Sequence, residues 1–322
     1  MITAPQAIEQ SRRLLLCLHA KPDGDSVGSN LAMALALASL GKQVLVVSAD
    51  PLPDIYSFLP GAGAIGSWQQ ATPGAYDAVL ALDCAEAERT GAPLDLHSYA
   101  PLVINVDHHR TNPRFGDVNL VDPAAAAAGE LVMDLLDSLH VVIDQEIALC
   151  LYTAIATDTG RFSYDSTTAE THRKAARLLD AGVDVGEVTT RVYESLPLAT
   201  LHLLGMALTS LSVHAAGQIA VMRLDAASVQ RAALSGRDGE SYEIVGFARS
   251  VRSAKVGVLL REEEGTVRVS LRARPGVDVS QVAHDLGGGG HPQAAGITLS
   301  DCTVEEAEAI LVHRLADMLT QA

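Results

Sequence analysis

Acidic and imidazole side chains recur in the first half of the chain, mostly at the ends of apolar runs. Carboxylates with a few histidines form a ligand set that suits Mn²⁺ or another divalent metal and is harder than the cysteine-rich sets of structural zinc sites. Carboxylates crowded together would repel one another unless cations neutralised them. The candidate residues are His19, Asp23, Asp25, Asp83, Asp107, His108, His109 and Asp158.

The number of these ligands suits two metal ions that share a bridging carboxylate, about 4 Å apart as in hydrolases of phosphate esters. Asp83 is the expected bridge, because it follows a central strand. Such a metal pair would activate a water molecule for attack on a phosphate. Taken singly, the motifs also suit simpler roles: Asp23 and Asp25 could form a polar turn, and Asp83 could cap a helix. The prediction therefore depends on the whole set.

The apolar runs before these residues have the length and composition of buried strands. Helical stretches alternate with them, including the Ala- and Leu-rich segment Val27–Leu40. This alternation predicts an α/β fold with an N-terminal parallel sheet that carries helices on both faces. The carboxyl ends of parallel strands share one edge of a sheet, so the ionisable residues should meet there. The expected strands, with the residue that follows each, are Leu14–Leu18 (His19), Ala78–Leu82 (Asp83) and Leu102–Val106 (Asp107), together with Val44–Ser48.

Three further helices are expected before the end of this sheet domain, the last of them started by the capping box Thr167–Glu170 and ended at Gly182. The alanine-rich run after Pro123 predicts a helix that ends near Leu139. Asp144 is a typical helix N-cap, and the helix it would start, Gln145–Thr157, leads directly to Asp158. We expect a catalytic domain over residues 1–185, a linker over 186–205, and a smaller α/β substrate-binding domain over 206–322.

The second half contains a glycine run with basic residues close upstream. Strands over 256–261 and 267–273 should form a hairpin, and a helix over 279–286 leads into four glycines and His291. Successive glycines allow backbone N–H groups to receive an anion, although such runs are also common as plain connectors. This segment concentrates positive charge in an acidic protein, which suggests that it binds phosphate or carboxylate. The basic residues are Arg249, Arg252, Lys255, Arg261, Arg268, Arg272 and Arg274.

Composition limits the classes of partner. The chain has 322 residues and a formal net charge of −16, which argues against binding along a long nucleic acid duplex. We expect no membrane span and no secretion signal, because no apolar run is long enough and the N-terminus lacks a basic region with an apolar core. Four cysteines are scattered without close pairing, which favours a reducing cytoplasm over a disulfide framework. They are Cys17, Cys84, Cys150 and Cys302.

The motifs together resemble those of the DHH phosphoesterase superfamily. The similar stretches are His19-x-x-x-Asp23-x-Asp25, then Asp83, then Asp107-His108-His109-Arg110-Thr111-Asn112, then Asp158-Thr159-Gly160. The stretch Gly288-Gly289-Gly290-His291-Pro292 resembles the substrate loop of the first type of DHH-associated C-terminal domain. The match runs in order through both halves, and the compact two-domain form is similar to the nanoRNase/pAp phosphatase group.

The resemblance implies a role for each matched residue. One metal would bind His19, Asp23 and Asp83, and the other would bind Asp25, Asp83, His108 and Asp158. His109 would face the substrate phosphate, and Asp107 would orient a neighbouring histidine. Manganese is the expected metal, with magnesium or cobalt as alternatives. The residues implied in substrate binding are Arg110, Arg261, Arg272, Gly288, Gly289, Gly290 and His291. Ser26 and Cys84 depart from the family pattern, and we expect neither to touch a metal ligand.

The resemblance also implies an activity. Members of the group degrade very short RNA to mononucleotides and remove the 3′-phosphate from adenosine 3′,5′-bisphosphate (pAp), and a homodimer is expected. Three alternatives stay open. A phosphodiesterase of cyclic di-adenylate or pApA would use the same motifs. A RecJ-like single-strand exonuclease would need further nucleic-acid-binding modules, and a non-catalytic nucleotide sensor would be expected to lack metal ligands. The sequence leaves the substrate ranking, the native metal and the direction of attack undecided.

Overall fold

A computed structural model describes residues 2–233, 244–263 and 265–321 of the chain. The side chains of residues 231–233, 291 and 321 lie outside this description, including that of the predicted substrate contact His291. The chain divides into two compact units, Met1–Ser195 and Leu196–Ala322. Each unit is built on one six-stranded sheet. Among the described residues we find no helix with both the length and the apolar character that crossing a bilayer requires.

The sheet of the first unit is entirely parallel, with the strand order β3-β2-β1-β4-β5-β6. This confirms the fold class expected from the alternating pattern, and the strand expected to begin at Leu102 lies one residue later. The three strands that lead to ionisable residues, β1, β4 and β5, are neighbours. The strands are β1 (Arg13–Cys17), β2 (Gln43–Ser48), β3 (Gly66–Ser67), β4 (Ala78–Leu82), β5 (Val103–Asp107) and β6 (Val118–Val121).

The two faces of this sheet are covered differently. Residues of the first five α-helices pack with Leu14 and Leu16 on one face. The other face differs from the expectation, since short 3₁₀ segments around Trp68 and Tyr99 cover it. The helices are α1 (Ala4–Gln10), α2 (Gly24–Ser39), α3 (Ala128–Ser138), α4 (Gln145–Asp158), α5 (Ala169–Asp180) and α6 (Val185–Val188), which continues into a π-helical turn, Thr189–Tyr193.

Helix α3 begins later than the sequence suggested. The alanine run after Pro123 was expected to be helical, but residues 123–127 form turns and the helix begins at Ala128. The N-cap residue Ala127 has no side chain that could satisfy the free N–H groups of the first turn. A carboxylate from another helix, Asp25, accepts hydrogen bonds from two of them instead. A tertiary contact therefore sets where this helix starts.

Glycines allow α2 and α4 to approach each other closely. A Cβ atom on Gly24 would lie 2.3 Å from Thr157 Oγ1, and one on Gly28 would lie 2.3 Å from the carbonyl oxygen of Cys150. Since real side chains do not reach such distances, only glycine fits at these two positions of the interface. The close packing brings the start of α2 next to the end of α4, and hence Asp25 next to Asp158.

The sheet of the second unit is mixed, with the order β11-β12-β10-β9-β8-β7, and its single parallel pair is β8 with β9. The expected hairpin is confirmed as β9 and β10. Helices α10 and α11 pack on one face, and α7 and α9 on the other. The elements are α7 (Leu198–Thr209), β7 (Ser212–His214), β8 (Ile219–Leu224), α8 (Ala226–Ala233), α9 (Ile244–Arg249), β9 (Val256–Glu263), β10 (Thr266–Ala273), α10 (Ser280–Asp285), β11 (Gly289–His291), β12 (Ala294–Ser300) and α11 (Val304–Gln321).

Candidate active site

The candidate site lies in the first unit, at the carboxyl edge of its sheet. Strands β1, β4 and β5 are adjacent, and His19, Asp83 and Asp107 stand at or just beyond their carboxyl ends. The first turn of α2 adds Asp25, and the last turn of α4 adds Asp158. All the ionisable residues singled out in this half of the sequence therefore belong to one part of the fold.

Asp83 is the centre of the cluster. Its carboxylate is 3 % exposed, with Oδ2 3.4 Å from His19 Nε2 and Oδ1 3.5 Å from His108 Nε2. The two oxygens thus face two separate groups of ligands. The backbone of Asp83 adopts φ +58, in the left-handed region that residues other than glycine seldom enter. Asp and Asn tolerate this conformation better than most residues, and here it turns the carboxylate away from the line of β4.

The first ligand group consists of His19, Asp23 and Asp83. His19 Nε2 lies 3.5 Å from Asp23 Oδ1. His19 Nδ1 lies 2.8 Å from the carbonyl oxygen of Ala20, a contact in which the nitrogen must donate, so in the neutral ring the lone pair is on Nε2. The expectation that Ser26 touches no ligand is wrong, because the His19 backbone N–H donates to Ser26 Oγ at 3.2 Å. Ser26 thus helps to hold the loop after β1.

The second ligand group consists of Asp25, His108 and Asp158. His108 Nε2 lies 3.4 Å from Asp158 Oδ2 and 3.8 Å from Asp25 Oδ2. Asp25 is almost fully buried and accepts hydrogen bonds from the backbone N–H groups of Ala128 at 2.6 Å and Gly129 at 2.9 Å, at the start of α3. A helix N-terminus stabilises a carboxylate, so α3 holds Asp25 in place.

His109 differs from His19 and His108 because its ring nitrogen nearest to Asp83 is already engaged by another carboxylate. This atom donates to Asp107 Oδ1 at 2.8 Å and lies 3.7 Å from Asp83 Oδ1. Its ring nitrogen could join His108 and Asp83 in a third possible ligand group, but a nitrogen that donates a proton to a buried carboxylate cannot bind a metal. The geometry therefore separates the two adjacent histidines, because His108 Nε2 faces Asp25, Asp83 and Asp158 whereas His109 Nδ1 is held by Asp107.

The charged groups of the cluster change one another's pKa values. Burial favours the neutral imidazole of His19, but its contacts with Asp23 and Asp83 raise the pKa of His19 to about 11. Burial also opposes ionisation of Asp83, yet its contacts with His108 and His19 hold the pKa of that carboxyl well below its ordinary value. The central carboxylate is thus ionised, and the imidazoles provide its countercharge.

The pKa values of two other carboxyls, Asp25 and Asp158, are shifted in the opposite direction. Burial, followed by repulsion from Asp83 and Asp158, raises the pKa of Asp25 well above its ordinary value. Burial and the neighbouring carboxylates Asp23 and Asp83 raise the pKa of Asp158 to about 7, although His108 opposes that shift. Carboxyls forced partly into the neutral form indicate a cluster that holds more negative charge than its own residues balance.

The donor set fits two divalent cations. Within each ligand group, one nitrogen or oxygen atom from every residue lies within 4.8 Å of those from the other two. Asp83 Oδ1 is buried and has no hydrogen-bond donor among the described residues, as expected of an atom meant for a metal. The ligands are oxygens and imidazole nitrogens without thiolate, which suits Mn²⁺, Mg²⁺ or a similar ion.

The glycine run of the second unit is more ordered than a flexible loop. The N–H groups of Gly287 and Gly288 donate to His284 O and Ala283 O and so end α10, and Gly289 begins β11. A Cβ atom on Gly288 would lie 2.1 Å from Gly296 O. Around the Cβ position of Gly289, by contrast, no atom of a described residue other than its chain neighbours lies within 4 Å. Gly288 is thus required by the fold, while Gly289 leaves open space at the sheet edge.

The predicted arginine contacts lie on the same sheet. Arg261 and Arg268 are directly opposite each other on β9 and β10 and share the carboxylate of Glu263, at 2.6 and 3.7 Å. Arg272 lies further along β10 and is half-buried. The nearby guanidinium groups of Arg249 and Arg274 bind backbone carbonyls, so part of the basic segment serves the fold. In the first unit, Arg110 is exposed and follows His109.

Two asparagines of this site were given no role from the sequence, although Asn112 belongs to the quoted motif. Asn105 is fully buried in the middle of β5, and Asn112 lies in the segment after the two histidines. A polar residue within the apolar run of β5 was the available signal. Both side chains bind the carbonyl oxygen of Cys84, which is far away in sequence, so this part of their role could not be inferred from it.

Comparisons with known proteins agree with this geometry. The model of the DHH family, N-terminal domain, matches residues 13–155, and the model of the DHHA1 domain matches residues 219–321. A Thermus thermophilus protein named bifunctional oligoribonuclease and PAP phosphatase NrnA is 38% identical over 96% of this chain and 91% of its own length. The chain belongs to the DHH family.

Other relatives cover the chain to a similar extent. A Bacillus subtilis protein, also named bifunctional oligoribonuclease and PAP phosphatase NrnA, is 25% identical over 92% of both chains. The solved structure of an exopolyphosphatase-related protein from Bacteroides fragilis superposes with a TM-score of 0.90 at 25% identity, covering 98% of this chain and 95% of that one. The DHH family member described here therefore matches these relatives over nearly their full length.

Proposed function

We propose that this DHH family member is a metal-dependent hydrolase that degrades short oligoribonucleotides to mononucleotides and dephosphorylates pAp. Its carboxylate and histidine cluster suits phosphate ester hydrolysis, and no member of the expected ligand set is missing. The relatives that match almost the whole chain are named for these two activities. The observation that carries the proposal is the position of Asp83, whose two carboxylate oxygens face two separate ligand groups.

We assign the ligands of two divalent metals, manganese being the expected one, to the two groups that meet at Asp83. His19, Asp23 and Asp83 would hold the first ion, and Asp25, Asp83, His108 and Asp158 the second. When bound, such a pair would supply a water of lowered pKa and positive charge for the phosphate oxygens. The protein contributes rigidity: α3 fixes Asp25, and the Ala20 carbonyl fixes the His19 ring.

His109 is the residue we place against the substrate phosphate. Its Nδ1–H is held by Asp107, and we assign Nε2 to the contact with a phosphate oxygen. Because both ring nitrogens donate when the imidazole is protonated, the buried Asp107 carboxylate also favours a His109 cation that attracts the anion. In the second unit, Arg261, Arg272, the glycines of 288–290 and His291 would bind the terminal phosphate or nucleotide. Arg110 is a further candidate for this contact.

A side-by-side hydrolysis assay tests the proposal. The purified protein, supplied with Mn²⁺, is offered pAp, pApA, cyclic di-adenylate, RNA dinucleotides and long single-stranded RNA. We expect turnover of pAp and the shortest RNA, and little turnover of long strands. Comparable rates on long single strands would favour the exonuclease alternative, and a dominant rate on cyclic di-adenylate would favour the phosphodiesterase alternative. Binding without turnover of any substrate would favour the nucleotide sensor.

The proposal also covers the oligomeric state of the protein and its location in the cell. We propose a homodimer, on the family resemblance, and a cytoplasmic location, on the scattered cysteines. Light scattering of the purified protein tests the first, and fractionation of cells with an antibody tests the second.

A further inference from the structure

A buried polar side chain inside strand β5 is unusual and needs an explanation. Asn105 is fully buried, and burying an amide is costly unless its hydrogen bonds are satisfied. Its Nδ2 atom donates to two carbonyl oxygens of the neighbouring chain segment, Ala81 O at 3.2 Å and Cys84 O at 3.1 Å. Asn105 is therefore anchored to the backbone on both sides of Asp83, at the end of β4.

Asn112 continues this network toward the active site. Its Nδ2 atom lies 2.8 Å from Asn105 Oδ1 and 3.2 Å from Cys84 O, and it also donates to Asp107 Oδ2. Two N–H groups serve these three acceptors, so one hydrogen bond is shared. The amide is half-buried and its position is set by groups of the β4–β5 framework.

Asp107 connects Asn112 to His109 through hydrogen bonds at its two carboxylate oxygens. One of its oxygens accepts from Asn112, and the other accepts from His109 Nδ1 at 2.8 Å. A buried carboxylate held at one oxygen only could rotate, and the imidazole it orients would rotate with it. Held at both, it fixes the direction of the His109 ring and keeps the proton on Nδ1.

We propose that Asn112, supported by Asn105, is a positioning residue that fixes His109 for its contact with substrate by acting through Asp107. The inference rests on the proposed function in so far as that function assigns His109 to the phosphate. Asn112 itself touches neither a metal ligand nor the reacting atoms. Outer partners of this kind change activity by roughly 10- to 100-fold when they are removed.

Asn112 has a second contact that any test must preserve. Its Oδ1 atom accepts from the backbone N–H of Arg114 at 2.6 Å and so shapes the turn after the histidines. Asn112→Asp keeps an acceptor for that N–H and removes the donors to Asp107 and Asn105. Asn112→Ala removes the acceptor for the Arg114 N–H as well as the donors. The matched control is Asn119→Ala, because Asn119 binds Gly116 O and Gly116 N in the same segment and does not contact Asp107.

Steady-state kinetics with pAp and an RNA dinucleotide measure the effect. We expect kcat to fall roughly 10- to 100-fold in both Asn112 variants, with the Mn²⁺ affinity within about threefold of wild type, since His109 is not a ligand. Asn119→Ala should keep the wild-type kcat. In an Asp107→Ala background, adding Asn112→Ala should lower kcat by less than a further factor of about two, because Asn112 acts only through Asp107. The inference would be overturned if the losses in kcat from Asp107→Ala and Asn112→Ala multiplied in the double variant. It would also be overturned if Asn112→Asp kept the wild-type kcat.

A second measurement does not depend on turnover. Heteronuclear NMR of the histidine ring nitrogens reports whether the His109 Nδ1 proton is held by Asp107. The signal of a protected Nδ1–H should be present in the wild type and in Asn119→Ala, and lost or shifted in Asn112→Asp. If wild-type protein hydrolysed none of the substrates, the proposed function would fail. The NMR result would still decide whether Asn112 positions the ring.

Discussion

Replacing Asp158 with asparagine should stabilise the metal-free protein while weakening its metal site. Asp158 ends α4, where the negative pole of the helix already disfavours a carboxylate. It also lies among carboxylates, and burial together with this repulsion raises its pKa to about 7. In the absence of metal, the ionised side chain therefore costs folding free energy, and a neutral amide at this position would remove that cost with almost no change in shape.

The magnitude and the pH range follow from the raised pKa. The shift from 3.8 to about 7 corresponds to about 4 kcal/mol, and since the side chain is 33% exposed we reduce this to about 2 kcal/mol. A group whose folded pKa is raised stabilises the fold below its unfolded pKa, and this contribution is lost as pH rises through the folded value. The metal-free wild type should thus lose stability between about pH 4 and 7. At pH 8 Asp158→Asn should melt roughly 4 to 8 °C higher.

Thermal unfolding with a chelator, at pH 5 and pH 8, measures this difference. Asp180→Asn is the matched control, because Asp180 also ends a helix but is exposed and outside the site. It should report only the helix-end effect, about 0.3–1 kcal/mol. With saturating Mn²⁺ the order should reverse, since the wild type binds the metal more tightly and gains more from it.

Two outcomes would refute this reasoning. The first is a chelated Asp158→Asn protein that is no more stable at pH 8 than the Asp180→Asn control. The second is an equal gain in stability on addition of Mn²⁺ for Asp158→Asn and the wild type. Either result would mean that the end of α4 is not part of a charge cluster built for a cation.

Three other substitutions test two separate features. Asp83→Ala should abolish hydrolysis in the presence of Mn²⁺, because both ligand groups lose their shared carboxylate, while the protein still folds. Residual metal-dependent turnover would contradict the assignment of Asp83 as the bridge. Gly288→Ala should lower the free energy of unfolding by about 1–3 kcal/mol, since its Cβ would meet Gly296 O, whereas Gly289→Ala should change it by less than about 1 kcal/mol. Urea unfolding compares the two, and equal effects would show that the close approach at Gly288 is not limiting.

Local patterns in the sequence determined the framework of this protein. Apolar runs of strand length, alternating with helical stretches, are governed by burial and periodicity that a single segment reveals. They predicted β1, β4 and β5 within one residue, and with them the ionisable residues at one sheet edge. The ligand set could be recognised because metal chemistry restricts the side-chain types as well as their position after a strand.

Contacts between distant segments were decided only by the tertiary structure. Helix α3 begins at Ala128 because Asp25, remote in sequence, accepts its free N–H groups. Gly24 and Gly28 matter because α4 packs against them, and the glycine run joins a sheet because β12 is available for pairing. No segment carries this information by itself.

The two adjacent histidines illustrate the same division. Their positions after β5 follow from the sequence, and the family resemblance implied different roles for them. What separates them physically is the tertiary structure, in which His109 Nδ1 donates to Asp107 and His108 Nε2 faces Asp25, Asp83 and Asp158. The support of Asp107 by Asn112 and Asn105 could be found only there, because hydrogen bonds depend on the distance and angle between atoms, which the order of residues along the chain does not specify.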